Sequence, residues 1–147
     1  MRGLLQRVQR ASVRIAGEEV GAIDRGTLLL VGFAPDDTPE RTDTLLDRVL
    51  RYRLFADAEG RMNRSLVDIG GGLLIVSQFT LLADTRKGLR PSFTPAAAPV
   101  QAQALYDHLV AAARARHRPV ASGIFAADMQ VELINDGPVT LLLEVPG

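Results

Sequence analysis

The sequence predicts an α+β fold of mixed and antiparallel β-sheet with two main helices. Three observations predict it: short alternating or continuous apolar runs that suit strands, two stretches with apolar residues three and four positions apart, and Gly, Pro and Asp clusters between them. The chain has 147 residues, 47% of them hydrophobic. One domain over residues 1–147 is expected, because a chain of this size buries roughly two thirds of its unfolded surface.

Leu4–Ile15 and Val20–Ile23 read as strands joined by a hairpin turn at Gly17-Glu18, and Thr27–Gly32 as a buried strand. Thr38-Pro39-Glu40 has the form of a helix start: a hydroxyl cap, proline at the first position, an acid in the first turn. The helix then places Thr42, Leu45, Leu46, Val49, Leu50 and Arg53 on one face, with Asp43, Asp47, Arg48 and Arg51 opposite. Gly60 and Gly70-Gly71-Gly72 mark turns, and Leu73–Leu82 reads as a buried strand. Ala83–Ala98 is a long loop with Pro91 and Pro95, a length that often signals function. A second helix runs from Pro99 to about His117, burying Leu105, Leu109 and Ala112, and Pro119 stops it. Val120–Phe125, Met129–Asn135 and Val139–Val145 complete the chain as strands, the last two separated by Asp136-Gly137-Pro138.

Composition removes several function classes. There is no cysteine, so disulfides, thiolate metal sites and a cysteine nucleophile are excluded. No apolar run approaches the ~18–20 residues of a membrane span. Arg2, Arg7 and Arg10 interrupt the first residues, which does not suit a signal peptide, so a cytoplasmic protein is expected. The 17 basic residues balance 17 acids, against the basic excess usual in a dedicated nucleic-acid binder. The balance is uneven, however. Arg86, Lys87, Arg90, Arg114, Arg116 and Arg118 face one acid, Asp107, within that span. This reads either as a composition bias towards Arg and Ala or as a phosphate-binding surface, for which a guanidinium fork is suited.

His108 lies beside the apolar face of the second helix and His117 at its end, where the helix dipole favours a cation. Neither stands in a catalytic or metal-ligand pattern. The spacings of zinc and calcium sites, of α/β-hydrolases, of P-loops and of dinucleotide folds are all missing, so no cofactor or metal is expected. Two segments remain. Ser77-Gln78-Phe79-Thr80 sets polar groups into an apolar strand. Each unpaired buried group there costs ~1–3 kcal/mol, so they are either satisfied strand polars or a strand end whose amides meet a substrate carbonyl. Asn135-Asp136-Gly137-Pro138-Val139-Thr140 reads as a turn, or as backbone carbonyls presented at close range.

At these segments the chain resembles the D-aminoacyl-tRNA deacylase family. The resemblance is carried by Gln6-Arg7-Val8 with Ala11-Ser12-Val13, by Gly60-Arg61-Met62-Asn63, by Val76-Ser77-Gln78-Phe79-Thr80-Leu81, by Lys87-Gly88-Leu89-Arg90-Pro91-Ser92-Phe93, and by Asn135-Asp136-Gly137-Pro138-Val139-Thr140. Ala126 departs from it, standing where the family usually has Gly. The resemblance implies a homodimer that hydrolyses D-amino acids, and glycine mischarged on tRNA for alanine, from the acceptor end of aminoacyl-tRNA. It implies a cis Gly137–Pro138 pair inserted into the other subunit's site to exclude an L side chain, held there by Arg7. Ser77, Gln78, Phe79 and Thr80 would line the carbonyl site, Phe125 and Met129 would pack near the terminal adenosine, and Arg86, Lys87 and Arg90 would meet tRNA phosphates. Without a positioned base, the ribose hydroxyl beside the ester would assist; Thr80 as a nucleophile is the rival route. Two other readings stay open: a deacylase for a mischarged L-amino acid with a trans Gly-Pro bond, and a dimeric binding module without catalysis.

Overall fold

A computed structural model describes residues 1–146. Strand β1 (Arg2–Ile15) is the axis of the main sheet. Along one side it pairs antiparallel with β3 (Gly26–Gly32) through residues 2–8 and with β2 (Glu18–Ile23) through residues 11–15. Along its other side it pairs with one long strand. Beyond β3 the sheet turns parallel, where the short β6 (Gly72–Ser77) and β7 (Val120–Ser122) follow. Gly26 permits the β3–β6 approach, since a Cβ there would lie 1.9 Å from the Gly72 carbonyl oxygen. A two-stranded sheet, β4 (Arg53–Ala56) with β5 (Met62–Ser65), and a one-turn helix α2 (Leu66–Ile69) stand apart. The sequence reading resolved none of these three; Arg53, placed there on the first helix, begins β4 and is exposed.

The helices form as their caps and spacing predict. In α1 (Pro39–Arg51) Thr38 Oγ1 accepts from the Arg41 amide at 3.3 Å, and Thr42, Leu45, Leu46, Val49 and Leu50 are buried. In α3 (Pro99–Arg116) the buried stripe is Ala102, Leu105, Tyr106, Leu109 and Ala113, so Ala113 takes the place expected of Ala112. Both helices cover one face of the sheet with Leu5, Leu29, Val31, Leu73 and Ile75. The other face gathers Val8, Ala11, Val13, Leu28, Leu74 and Val76 under Met129, Val131 and Leu133. Alternate residues of β3 and β6 are thus buried on opposite faces, which is why both strands read as continuous apolar runs.

Three boundaries differ from the sequence reading, each for a physical reason. The strand expected over Leu73–Leu82 ends at Ser77, because the chain turns into a 3-10 turn over Phe79–Leu82. The strand expected over Val120–Phe125 ends at Ser122, and residues 123–129 leave the sheet. The two strands expected on either side of Asp136-Gly137-Pro138 are one, β8 (Gln130–Glu144). Gln6 faces Thr140 and Val8 faces Asn135, so Asp136–Val139 stand opposite the single residue Arg7. The segment is a wide bulge in a paired strand, not a hairpin turn.

Candidate active site

The bulge is held by the side chains of Arg7, Asn135, Asp136 and Thr140. Arg7 donates from Nε to the Asp136 carbonyl at 3.0 Å and from Nη1 to the Leu54 carbonyl on β4 at 2.7 Å, and its guanidinium stands 3.6 Å from the Asp136 carboxylate. Asn135 closes the base: its Oδ1 accepts from the Val139 amide at 3.1 Å and its Nδ2 donates to Thr140 Oγ1 at 2.8 Å. The Gly137–Pro138 bond is cis and Gly137 has φ +128°. A Cβ at Gly137 would lie 2.9 Å from both Arg7 Nη2 and Val139 Cγ2, so this position requires glycine on two counts, space and backbone. Asn135 and Leu54 were missed as supports. Asn135 was visible in its motif, whereas Leu54 acts through its backbone and left no side-chain signal.

A second feature lies elsewhere in the chain. A cavity of about 700 Å³ is lined by Ser77, Gln78, Phe79, Phe93, Phe125 and Met129, with residues 96–98 and 126–128 completing the wall. It sits where β6 ends, outside the carboxyl end of a parallel strand, a place where open sheets form clefts. The Gln78 amide donates to the Val31 carbonyl at 2.8 Å, so the chain's own sheet uses it. Among the described residues the Phe79 and Thr80 amides have no partner within the chain and are the donors left at the strand end. The Gln78 side-chain amide donates to Thr80 Oγ1. Phe79 and Phe93 meet edge-to-face with centroids 5.0 Å apart, and the Asp84–Ser92 bridge closes the loop of residues 85–91 directly before Phe93.

Tyr106 holds the far wall. Its hydroxyl donates to the Ile75 carbonyl at 2.8 Å or to that of Gly123 at 3.2 Å, and its ring lies 6.0 Å from that of Phe125. Burial, foremost, pushes the Tyr106 phenol up to about 12. The sequence reading missed it as a support, although its position on the buried stripe of α3 was visible. Ala126, at the position where the family usually has Gly, adopts φ +65°, the left-handed region that a glycine enters freely.

The basic residues divide. Arg86 is tied to Asp84 by two contacts, at 2.9 and 2.8 Å, and this pairing, foremost, holds the Asp84 carboxyl down at about 2. Lys87 and Arg90 are exposed and, among the described residues, form no ion pair. Arg116 pairs with Asp47 of α1 at 3.0 Å and Arg114 reaches Ser122 Oγ at 3.3 Å, so the basic run folds into two separate surfaces. His117 is buried against the Gly71 carbonyl at 2.6 Å, and His108 pairs with Asp43 at 2.8 Å, away from the cavity.

The structure therefore brings Ser77, Gln78, Phe79, Phe125 and Met129 together around one cavity, with Thr80 reaching it only through its contact with Gln78, and Arg7, Gly137 and Pro138 are not in that lining. A family model described as D-Tyr-tRNA(Tyr) deacylase matches residues 4–144, which include every one of these positions. The chain belongs to the D-aminoacyl-tRNA deacylase family. It is 62% identical to the D-aminoacyl-tRNA deacylase of Stutzerimonas stutzeri (strain A1501) and 63% identical to that of Azotobacter vinelandii (strain DJ / ATCC BAA-1303), each over 144 residues, 98% of this chain and 99% of the relative. A solved structure titled "c-Myc DNA Unwinding Element Binding Protein" superposes with a TM-score of 0.95 at 39% identity, covering all of both chains. A structure titled as a probable eukaryotic D-amino acid tRNA deacylase shares the fold at TM-score 0.83 and 18% identity, covering 97% of both. The D-aminoacyl-tRNA deacylase family is a family of hydrolases. In this deacylase sequence no helix among the described residues is long and apolar enough to cross a membrane.

Proposed function

We propose that the chain hydrolyses the ester joining a D-amino acid to the acceptor end of tRNA, releasing free tRNA and the amino acid, and does the same to glycine mischarged on tRNA for alanine. It acts as a cytoplasmic homodimer of one-domain subunits, in which each subunit's Gly137–Pro138 bulge enters the other's cavity. The observation that carries this reading is the separation of the two halves within one chain: a cavity at whose edge the Phe79 amide is unpartnered, and a bulge held by Arg7 whose Gly137 and Pro138 line neither of the two cavities described. The edge strand β8 supports it, since Ile134 and Leu142 remain 40% and 53% exposed there. Leu143, next to Leu142 on the same strand, is buried in its own core.

In this arrangement the ester carbonyl meets the Phe79 and Thr80 amides, which stabilise the oxygen as it becomes negative. Water adds to the carbonyl carbon, the C–O bond to ribose breaks, and the neighbouring ribose hydroxyl relays the proton to the leaving oxygen. Positioning of this kind supplies several kcal/mol without a protein base. Thr80 as a nucleophile is disfavoured: its hydroxyl accepts from the Gln78 amide, which cannot take up a proton. The Gly137 and Pro138 carbonyls face the substrate Cα and leave room only for hydrogen on the L side. A backbone clash discriminates more strongly than a missing attraction. Phe125 and Met129 flank the terminal adenosine. Lys87 and Arg90 meet tRNA phosphates, with Arg86 left to brace the loop through Asp84.

Parallel incubation with D- and L-tyrosyl-tRNA tests the reading. Hydrolysis of the D form alone is expected, with loss in Gly137→Ala, because the added Cβ would fill the pocket that the bulge enters. Equal rates for both enantiomers contradict the filter. Hydrolysis of the L form alone selects the L-deacylase reading, and no hydrolysis of either selects the binding module.

A further inference from the structure

A second cavity, of about 420 Å³, lies on the other side of Phe125. Phe125 lines both cavities. Ala98, Pro99 and Ala102 of the α3 N-terminal region face the first, and Gln103, Asp107, Ala111 and Arg114 of the same helix line the second. On the neighbouring segment Ser122 and Ile124 line the second cavity, and Ala126 to Met129 the first. The packed rings of Tyr106 and Phe125 are the partition between them. None of the steps in the ester chemistry uses this second cavity.

Resting on the proposed function, we infer that the second cavity receives the nucleotide that precedes the terminal adenosine of the tRNA. The two cavities share a wall, so a strand whose last base lies by Phe125 and Met129 reaches the second one next. Asp107 and Arg114 stand two turns apart on α3, about 10 Å along its axis, which separates an acceptor from a cation. A carboxylate accepts from the exocyclic amine of cytosine, and a guanidinium fork matches phosphate. Arg114 is exposed, and its contact in the chain, Ser122 Oγ at 3.3 Å, is long enough to yield to a phosphate. Ile124, 53% exposed, offers an apolar face to a base. tRNA ends in cytidine-cytidine-adenosine, so the site requires no choice among tRNAs. Single-stranded RNA ends are generally held in this way, by stacking with polar contacts to base edges.

The test uses two small substrates: the D-tyrosyl ester of adenosine and the D-tyrosyl ester of cytidylyl-adenosine. In the wild-type protein kcat/KM for the dinucleotide ester is expected to exceed that for the adenosine ester roughly tenfold. Ala111→Trp fills the cavity from an exposed position and should bring the ratio of the two esters to about one. Arg114→Gln should lower it in part, through KM. Equal kcat/KM for the two esters in the wild-type protein, or an unchanged ratio in Ala111→Trp, overturns the inference while leaving the deacylase reading intact. Hydrolysis of neither ester, nor of D-tyrosyl-tRNA, overturns both.

Discussion

Replacing Arg7 by Lys separates charge from geometry at the bulge. The arginine fork reaches two carbonyls at once, Asp136 at 3.0 Å and Leu54 at 2.7 Å, with its side chain only 16% exposed. An ammonium on a flexible stem keeps the charge but cannot span both acceptors. One hydrogen bond from a charged group is lost, worth ~1.5–3 kcal/mol. For a chain of this length that lowers Tm by roughly 3–12 °C. The released bulge no longer holds Gly137 in one place, so the preference for D- over L-tyrosyl-tRNA should fall, with hydrolysis of the L form rising. Thermal unfolding and kcat/KM for both enantiomers are the assays. A lower Tm with an unchanged D/L ratio would mean that Arg7 only braces β4 against β8, and would refute its part in the filter. No change in either would refute the hydrogen-bond reasoning itself.

Four other outcomes are expected. Thr27 is fully buried and its hydroxyl has no partner among the described residues, so Thr27→Val should leave stability unchanged or raise it by about 1 kcal/mol in urea unfolding. The Asp84 carboxyl titrates at about 2 in the folded protein, below its ordinary 3.8. The support it gives the loop is therefore complete above pH 3.8 and is lost as pH falls through about 2, which carboxyl NMR of Asp84 will show; a midpoint near 3.8 would deny the Arg86 pairing. Lys87→Glu with Arg90→Glu should raise KM for D-tyrosyl-tRNA without changing unfolding, and added salt should raise the wild-type KM as well. Ala126→Gly should leave the fold intact and relieve the cost of a methyl at φ +65°, a gain of ~0.5–1 kcal/mol in thermal unfolding.

What the residues disclosed, and what they did not, follows from the range of the interactions involved. Helix α1 was legible because Thr38, Pro39 and the Leu45–Leu50 stripe act over neighbouring turns. The run Thr27–Gly32 was legible because burial on both faces leaves it apolar throughout. Gly137–Pro138 was misplaced as a connection between two strands, since Gly and Pro look alike in turns and in bulges. Only pairing with β1 on both sides, Thr140 to Gln6 and Asn135 to Val8, shows that β8 continues. Of the segment Ser77–Thr80 that the sequence singles out, Ser77, Gln78 and Phe79 line the cavity, yet the Gln78 amide is spent on Val31 and the available donors are those of Phe79 and Thr80. The pairing of Arg86 with Asp84 was not legible, because Asp84 is close in sequence but its orientation is not encoded in any spacing rule.

Mixed subunits test most directly whether the bulge of one chain serves the cavity of another. Ala96→Trp blocks the cavity from its lining and should abolish hydrolysis alone, while Arg7→Ala keeps an open cavity but loses discrimination. In the proposed homodimer, mixing the two after reversible unfolding would form dimers in which the tryptophan subunit supplies an intact bulge to the open cavity. The account predicts that D-selective hydrolysis returns in the mixture. Activity equal to the sum of the two variants measured separately would contradict it.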